Sequence, residues 1–386
     1  MRIETLLLHN GNELDPQTGA SSVPIYQAST FHQFDIDKPG QFDYSRSGNP
    51  TRQALEDTIA KLEGGCRGFA FASGMAAIST VFLLLSKGDH IIVSQDVYGG
   101  TYRILTQVLS RFGIDSTFVN TTKTEAITQA LRPNTKAIYI ETPSNPTLKV
   151  TDLSEIVRIA KENKLLSIVD NTFLTPYYQR PLAFGFDIVV HSATKFLGGH
   201  SDVVAGLVAV RDEQLADQMK TLQNAFGAVL GVQDSWLILR GLKTLQARLD
   251  ISSKNAEKLA VWLQEHKEVE KVYYTGLEEH EGHRIQCKQA SGHGAVLSFD
   301  VGSGEKVRQL LQKIRLPIVA VSLGSVESIL SYPALMSHAA MPKEVRLKHG
   351  ITDGLLRFSV GLENVEDLME DLSQALDSKV SFAVAR

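Results

Sequence analysis

A lysine and an aspartate stand just past two strand-like runs of this sequence. Lys195 follows the aliphatic run 187–190 by way of the segment His191-Ser-Ala-Thr194, and a pair of glycines comes soon after it. Asp170 ends the apolar run 165–169, one strand earlier. A lysine amine can form a Schiff base with an aldehyde, and a carboxylate can keep a pyridinium nitrogen protonated. These are the two functional groups that pyridoxal phosphate (PLP) chemistry requires at a minimum. The pair therefore predicts an enzyme.

Small hydroxyl and glycine residues near these two groups could receive a phosphate. Ser192 and Thr194 flank Lys195, and Gly74 and Met75 lie at a predicted strand-to-helix junction, where backbone N–H groups form an anion site. A bare Ser-x-x-Lys is more often an exposed loop lysine, and it also occurs in penicillin-binding enzymes with a serine nucleophile. That alternative requires Ser-Asp-Asn and Lys-Thr-Gly elements, which this sequence does not complete.

An aromatic residue and an arginine are further candidates, each with an alternative explanation. Tyr98 follows the predicted strand ending at Val93 and could stack on a pyridine ring, but it could equally pack a loop. Arg357 interrupts the apolar strand-like segment 355–360 and needs a partner. The carboxylate of an amino-acid substrate would fit its guanidinium in a bidentate manner, and a carboxylate of the protein is the competing explanation.

Composition excludes several classes of protein. The 386 residues are 21% charged and 43% hydrophobic with a net charge of −4, which favours a globular protein without nucleic-acid or membrane partners. Two cysteines and an amino terminus without a signal-peptide pattern indicate a cytoplasmic location. The segment His280-Glu-Gly-His283 lacks the His-Glu-x-x-His spacing of a zinc helix, so we expect a solvated loop and no metal site.

The order of strand-like and helix-like segments predicts three regions. Residues 1–50 lack a regular period but contain aromatic residues, and we expect an arm that contacts another subunit. Residues 51–245 alternate strands and helices, which predicts an α/β domain with a mainly parallel sheet. Residues 246–386 read as a smaller α+β domain. Ligands bind at the carboxyl ends of such parallel strands, so Asp170 and Lys195 should point towards one crevice.

Taken together, these segments resemble the Cys/Met-metabolism family of PLP enzymes over nearly the whole chain. The resemblance implies the type I, aspartate-aminotransferase-like fold. The motifs that carry it are Tyr44-Ser-Arg-Ser-Gly-Asn-Pro-Thr-Arg52, Ser73-Gly-Met-Ala-Ala77, Val97-Tyr-Gly-Gly-Thr101, Glu141-Thr-Pro-Ser-Asn-Pro146, Val169-Asp-Asn-Thr172, His191 to His200, Ser322-Leu-Gly-Ser-Val-Glu-Ser328 and Leu356-Arg-Phe-Ser-Val-Gly361.

The resemblance also implies a role for each candidate residue. Lys195 would carry the cofactor and Asp170 would hold its pyridine nitrogen, with Tyr98 stacked on the ring. Gly74, Met75, Ser192 and Thr194 would bind the phosphate. Tyr44 and Arg46 would reach the cofactor phosphate of the neighbouring subunit, so a dimer would be obligatory. Members of this family usually form a homotetramer of two such dimers, and we expect the same here. Arg357, Ser322 and Asn145 would bind the α-carboxylate of an amino-acid substrate.

Two positions bear on which reaction the resemblance implies. Methionine γ-lyases typically carry a cysteine where this sequence has Gly100, and the γ-acting cystathionine enzymes usually have a glutamate where it has Val321. The run 322–342 looks most like bacillus-type β-lyases, which release homocysteine, pyruvate and ammonia from L-cystathionine in methionine biosynthesis by trans-sulfuration. A γ-lyase or γ-synthase of the same family stays open as the alternative.

Overall fold

In a computed structural model, which describes residues 1–10, 14–15, 17–339 and 341–377, the chain divides into two units. The first unit comprises residues 1–142, 151–246 and 289–291, and the second comprises residues 143–150, 247–288 and 292–386. Parts of the regions predicted at 1–50 and 246–386, and residue 340 of the run 322–342, lie outside the described residues. We describe each unit by itself.

A seven-stranded sheet organises the first unit. Its strands are β1 Arg67–Phe71, β2 His90–Ser94, β3 Asp115–Val119, β4 Thr135–Glu141, β5 Leu166–Asp170, β6 Ile188–Ser192 and β7 Gly206–Val210. The order across the sheet is β1-β7-β6-β5-β4-β2-β3. The five strands from β6 to β3 are parallel to their neighbours, and β7 pairs antiparallel with β6 and β1. The predicted type I α/β fold is confirmed.

Helices surround this sheet and complete its core. They are α1 Ile3–His9, α2 Pro50–Glu63, α3 Gly74–Phe82, α4 Gly99–Arg103, α5 Thr124–Gln129, α6 Leu153–Glu162, α7 Thr175–Tyr178, α8 Pro181–Phe184, α9 Glu213–Phe226, α10 Val232–Leu242 and the beginning of α11 Leu245–Gln264. A π turn at Ile104–Val108 and a 3-10 turn at Leu109–Phe112 extend α4.

Alternate strand residues enter two separate cores, so both faces of the sheet are covered. Ile91 and Val93 of β2 pack into a cluster that includes residues of α3 and α9. Ile92, between them, belongs to a second cluster that includes residues of α6. Parallel strands buried on both faces are nearly all apolar, as here, and polar residues are displaced to the strand ends. The ends of the strands are therefore where chemistry can be placed.

The second unit contains a five-stranded sheet with the order β10-β11-β12-β9-β8. Its strands and helices are most of α11, β8 Lys271–Tyr273, α12 His283–Gln289, β9 Val296–Asp300, α13 Gly304–Lys313, β10 Ile318–Val319, β11 Ile329–Ser331, α14 Lys343–Lys348, β12 Leu355–Ser359 and α15 Val365–Leu376. Strands β8, β9, β12 and β11 pair antiparallel, and β10 joins β11 in parallel. This sheet shares one core with α13 and α15, as an α+β unit does.

Helix α6 illustrates how local sequence fixes an element. The Asp152 carboxylate accepts hydrogen bonds from the backbone N–H groups of Ser154 and Glu155, 2.9 and 3.2 Å away, which satisfies donors that have no partner within the helix. Leu153, Ile156 and the other apolar positions of the predicted stripe are buried. The pattern Asp152-x-x-Glu155 is a capping box, and the apolar residues that follow it have helical spacing. The sequence therefore predicts this helix, and the structure confirms it.

Other elements were not predicted. Helix α1 lies inside the region expected to lack regular structure, and β3 and β7 were missed. The sequence of residues 224–266 predicts one long helical zone, but the structure divides it among α9, α10 and α11. Helix α9 ends at Phe226, and the Gly227 that follows has a left-handed backbone (φ 71°). Strand β7 is a five-residue buried apolar run, which has no period that separates a strand from a helix. None of the helices described here is long and apolar enough to span a bilayer.

Candidate active site

Asp170 is the last residue of β5, and its carboxylate is buried with 6% of the residue exposed. One oxygen accepts a hydrogen bond from the backbone N–H of Thr172 at 3.0 Å, and the hydroxyl of Tyr139, in the neighbouring strand, donates to the other at 3.3 Å. Burial raises the pKa of Asp170, while the Thr172 hydrogen bonds and His191 oppose this. A buried carboxylate with neutral donors is well suited to a cationic partner such as a pyridinium N–H.

Lys195 lies three residues beyond the end of β6, in a tight turn. Its backbone N–H donates to the carbonyl oxygen of Ser192 at 3.2 Å, and its carbonyl oxygen accepts from the N–H of Gly199 at 2.8 Å. The side chain is half-buried. Strands β5 and β6 are parallel neighbours, with Asp170 opposite Val190. Both predicted residues therefore follow strands that end at the same edge of the sheet.

The start of α3 forms an anion site beside Ser192. Ser73 caps the helix by accepting a hydrogen bond from the N–H of Ala76 at 3.0 Å, and the N–H groups of Gly74 and Met75 have no partner within the helix. A Cβ atom on Gly74 would lie 2.9 Å from the Ser192 Cβ and 3.0 Å from its Oγ. Only glycine allows this close approach, and the resulting set of donors at a helix N-terminus fits a phosphate.

Thr194 has a different local role in the structure. Its hydroxyl donates to the carbonyl oxygen of Ala205 at 3.2 Å and accepts from the N–H of the same residue at 3.0 Å. These two bonds fasten the Lys195 turn to the residue that precedes β7. The predicted contact between Thr194 and a phosphate stays a prediction. To donate to a phosphate oxygen, the Thr194 hydroxyl would have to give up its hydrogen bond to the Ala205 carbonyl oxygen.

Tyr98 follows β2 and stands at the beginning of α4 with 44% of the residue exposed. Its backbone N–H donates to the carboxylate of Glu141, the buried last residue of β4, at 2.8 Å. A Cβ atom on Gly100 would lie 2.6 Å from the Tyr98 ring and 2.5 Å from the sulfur of Met75. Glu141 thus fixes the Tyr98 backbone, and the absence of a side chain at Gly100 leaves room for the Tyr98 ring and the Met75 sulfur.

Tyr44 and Arg46 form an exposed group in the first unit. The Arg46 guanidinium lies 5.5 Å from the centroid of the Tyr44 ring, and its Nη1 donates to the carbonyl oxygen of Asn224 in α9 at 2.6 Å. Tyr44 also forms a β-bridge with Thr30, which gives this part of the chain a fixed conformation. The pair presents a positive charge and a phenol to the exterior of the chain.

The second unit brings together the three residues predicted to bind a carboxylate. Arg357 in β12 is 3% exposed, and its Nη1 donates to the side-chain oxygen of Asn145 at 3.0 Å. Its Nη2 donates to the carbonyl oxygen of Ser322 at 2.5 Å and to the hydroxyl of Ser331 at 3.0 Å. Ser322 has a left-handed backbone (φ 84°), a conformation that costs about 1–3 kcal/mol and clusters at ligand sites.

Sequence reasoning missed the residues that hold these groups in place. Tyr139, Glu141 and Ser331 each sit in a strand, and Thr172 follows β5. The available signal was a polar side chain within an otherwise apolar strand, as in the β4 segment Thr-Lys-Ala-Ile-Tyr-Ile-Glu. A buried polar group needs a partner, so such positions mark hydrogen-bonded networks.

A buried pair lies behind the Asp170 carboxylate. Nε2 of His191 is 2.6 Å from the Glu63 carboxylate, and both side chains are fully buried. The Asn171 side chain donates to the same carboxylate oxygen at 3.1 Å. His191 and Asn171 each neighbour a predicted site residue in the chain, so this network fixes the backbone from which Ser192 and Asp170 project.

Comparisons with known proteins agree with this geometry. The family model "Cys/Met metabolism PLP-dependent enzyme" matches residues 4–377. The chain is 62% identical to the cystathionine β-lyase MetC of Bacillus subtilis (97% of this chain, 96% of the relative) and 53% identical to a cystathionine γ-lyase of that species (98% and 100%). The crystal structure of cystathionine γ-lyase from Lactobacillus plantarum complexed with L-serine superposes with a TM-score of 0.94 at 48% identity (97% and 98%).

These findings account for the chemistry of the first unit. A helix N-terminus beside a hydroxyl fits the cofactor phosphate, and a buried carboxylate fits the pyridinium nitrogen. The Lys195 side chain is a primary amine, the kind of group with which the cofactor aldehyde reacts. The chain belongs to the Cys/Met-metabolism family of PLP-dependent enzymes.

Proposed function

We propose that this enzyme cleaves the Cβ–S bond of L-cystathionine to give homocysteine, pyruvate and ammonia, a reaction of trans-sulfuration in methionine biosynthesis. The observation that carries the proposal is the 62% identity to a cystathionine β-lyase, which extends over 97% of this chain. The identity to a γ-lyase over the same length is lower, at 53%.

The residue before Ser322 supports the choice of β-elimination. Val321 is 61% exposed and directly precedes the serine whose carbonyl accepts a hydrogen bond from Arg357. A carboxylate at this position could position a substrate amine or take part in a second proton transfer, whereas valine can do neither. Cβ–S cleavage needs removal of only the Cα proton, so it does not require that additional group.

We propose a role for each residue of the two clusters. Asp170 holds the protonated pyridine nitrogen and Tyr98 stacks on the ring. Arg357 binds the substrate α-carboxylate with Ser322 and Asn145. The phosphate would be held by Gly74, Met75, Ser192 and Thr194, with Tyr44 and Arg46 contributed by a neighbouring subunit.

Lys195 performs the proton transfers of the proposed reaction. When bound, PLP supplies an aldehyde for the substrate amine and a ring that takes up the electrons left at Cα. Nζ of Lys195 removes the Cα proton and then delivers a proton to the departing thiolate sulfur, so that homocysteine leaves neutral. Water hydrolyses the three-carbon remainder to pyruvate and ammonia. The atoms of cystathionine and one water molecule account for all three products.

Identification of the products tests this proposal. We expect purified enzyme with L-cystathionine to release pyruvate and homocysteine in equal amounts, measured by chromatography of derivatised products. Lys195→Ala should lower turnover at least about 10³-fold, because it removes the acid and the base together. Formation of 2-oxobutyrate and cysteine as the main products would establish the γ-lyase alternative instead.

A substitution at position 321 tests what selects the reaction. We expect Val321→Glu to raise the ratio of 2-oxobutyrate to pyruvate roughly tenfold or more. The new carboxylate could position the substrate amine or take part in the second proton transfer that γ-elimination requires. Val321→Gln, similar in size but uncharged, is the matched control and should leave the ratio within about twofold. Equal ratios in both variants would show that position 321 does not select the reaction.

We also propose a homotetramer of paired dimers in the cytoplasm. The exposed Tyr44 and Arg46 support an active site shared between subunits, because their polar groups face outward from the chain that carries them. The two cysteines are exposed and unpaired by disulfide, which suits a reducing compartment.

A further inference from the structure

Three potential metal ligands converge in the second unit, and none of them belongs to the proposed active site. His283 is the first residue of α12, Cys287 lies one helical turn later at i+4, and His293 follows in the loop before β9. Positions i and i+4 share one face of a helix. One ligand atom from each of the three side chains lies within 4.8 Å of the others. The sequence spacing His-x3-Cys-x5-His gives this site two imidazoles and one thiol.

Thr275 contacts the Nδ1 atoms of both imidazoles. Nδ1–H of His283 donates to the Thr275 carbonyl oxygen at 2.8 Å. Nδ1 of His293 lies 3.3 Å from the Thr275 hydroxyl, which in turn lies 3.3 Å from the His293 carbonyl oxygen. When the Thr275 hydroxyl donates to the His293 carbonyl oxygen, the hydroxyl oxygen accepts a hydrogen bond from Nδ1–H of His293. The proton of each neutral ring is then on Nδ1, so Nε2 of each ring carries a lone pair. Histidines that bind metals are oriented in this way, with the other ring nitrogen bonded to a carbonyl or similar acceptor.

The distance between two of the three ligand atoms agrees with a tetrahedral ion. Zinc binds nitrogen at about 2.0–2.1 Å and sulfur at about 2.3 Å, so a tetrahedral zinc ion separates its ligand atoms by roughly 3.3–3.6 Å. Sγ of Cys287 is 3.5 Å from Nε2 of His283, which falls in this interval. The His283 and His293 rings are nearly parallel, with planes 7° apart and centroids 5.5 Å apart. All three ligand atoms lie within 4.8 Å of one another, so closing the longer distances to those of a tetrahedral ion would complete the site.

We infer that His283, Cys287 and His293 bind one zinc(II) ion per chain, with water as the fourth ligand. A thiolate with two neutral imidazoles is a donor set that zinc prefers, and zinc tolerates one exchangeable position. Binding exchanges the Cys287 S–H bond for an S–Zn bond and releases the proton to solvent. Cys287 is exposed and the two histidines are half-buried, so the ion can enter from solvent.

The sequence predicts a solvated loop without a metal at residues 280–283, whereas the convergence of His283 with Cys287 and His293 favours a metal ligand at position 283. His280 stays outside the cluster, because its Nδ1 accepts a hydrogen bond from the backbone N–H of Gly282 at 3.1 Å. His283 instead opens α12 and pairs with a cysteine four residues ahead and a histidine in the next loop. A search for histidine spacing alone could not find this site, because one ligand is a cysteine and another lies beyond the helix.

The wild-type holoenzyme offers a test with an internal control. The chain has two cysteines, Cys66 and Cys287, and both are exposed. The protein is treated with a chelator, dialysed and alkylated with iodoacetamide, with and without Zn²⁺, and both cysteine peptides are quantified by mass spectrometry. At ten times its Kd, the ion should slow alkylation of Cys287 roughly tenfold. Cys66 should change less than twofold. An unchanged rate at Cys287, or equal protection of both cysteines, would overturn the inference.

Variants locate the ion independently of alkylation. We expect competition titrations with a chromophoric chelator to give about one Zn²⁺ per chain for wild type and for Cys66→Ser. Cys287→Ser and His293→Gln should each lose at least about 100-fold in affinity, because each removes a ligand. Thr275→Val should lose roughly tenfold, as expected for a residue that positions ligands. The visible absorption of bound PLP verifies folding of every variant. Undiminished Zn²⁺ affinity in Cys287→Ser would contradict the site.

Discussion

The Asp170 carboxylate is the residue-scale feature from which most of the site chemistry follows. It is buried, and it accepts hydrogen bonds from the backbone N–H of Thr172 and from the phenol of Tyr139. Desolvation raises its pKa, and a pyridinium N–H would reverse that effect by stabilising the charged form. The charged form of Asp170 is therefore fully stabilised only when the cofactor is bound.

We expect Asp170→Asn to lower kcat/KM at least about 100-fold, equivalent to about 2.7 kcal/mol, because a neutral amide no longer stabilises the charged pyridinium. Tyr139→Phe is the matched control, because it removes one neutral hydrogen bond to the same carboxylate. It should lower kcat/KM by an amount equivalent to about 0.5–1.5 kcal/mol. Steady-state kinetics and the visible spectrum of bound PLP measure both effects. An Asn variant within threefold of wild type would refute the proposed role.

The proposed binding of a carboxylate by Arg357 depends on the orientation of its guanidinium group as well as on its charge. Three neighbouring oxygens accept hydrogen bonds from the guanidinium and fix that orientation. We expect Arg357→Lys to raise KM for cystathionine roughly 10–100-fold, because an ammonium cannot form the bidentate contact with a carboxylate. Ser331→Ala removes one orienting hydrogen bond and should raise KM less than about tenfold. If the two substitutions had equal effects, the guanidinium would be bound to the protein rather than to substrate.

At the scale of elements, the site depends on the close approach of β6 to the start of α3. Ser192 ends the strand, Gly74 begins the helix, and no side chain fits between them. The helix contributes N–H groups with no intrahelical partner, and the strand contributes a hydroxyl and leads to the lysine. A phosphate site of this kind requires both elements, because neither offers enough donors alone.

We expect Gly74→Ala to weaken PLP binding at least roughly tenfold, because the new methyl group would lie 2.9 Å from the Ser192 Cβ and displace the donors. Gly231→Ala is a matched control, since the nearest atom to its Cβ is 3.7 Å away, in ordinary contact. Equilibrium dialysis of the cofactor against each apoprotein measures the two dissociation constants. Similar constants for both variants would place the phosphate elsewhere.

At the scale of the whole molecule, the proposed assembly makes one chain incomplete. Lys195 and Asp170 belong to one subunit of a shared site, and the exposed Arg46 belongs to the other under this proposal. Two inactive variants with lesions in different halves of the site should therefore complement each other, because each mixed dimer contains one intact site.

We expect Lys195→Ala and Arg46→Ala each to have little activity alone. After co-expression or subunit exchange, the mixture should recover about a quarter of wild-type activity, since half of the dimers are mixed and each has one of two sites intact. A mixture of Lys195→Ala with Asp170→Asn is the control and should recover none, because both lesions fall in the same half. Absence of recovery in the first mixture, with dimers verified by native mass spectrometry, would rule out a shared site.

Several elements of this protein can be predicted from local sequence patterns alone. The Asp152 cap and the apolar stripe after it define α6, because hydrogen bonding at a helix end and burial of one face act within a few residues. The apolar runs before Asp170 and Lys195 define β5 and β6, and parallel topology then places both residues at one sheet edge.

Contacts between groups that are distant in sequence could not be predicted in this way. The insertion of β7 between β1 and β6, the Tyr139 hydroxyl at Asp170 and the Ser331 hydroxyl at Arg357 depend on strand order and register. The convergence of Cys287 with His283 and His293 depends on how a helix and a loop fold onto Thr275. Local propensities do not encode these contacts, because burial and partner choice are properties of the packed chain.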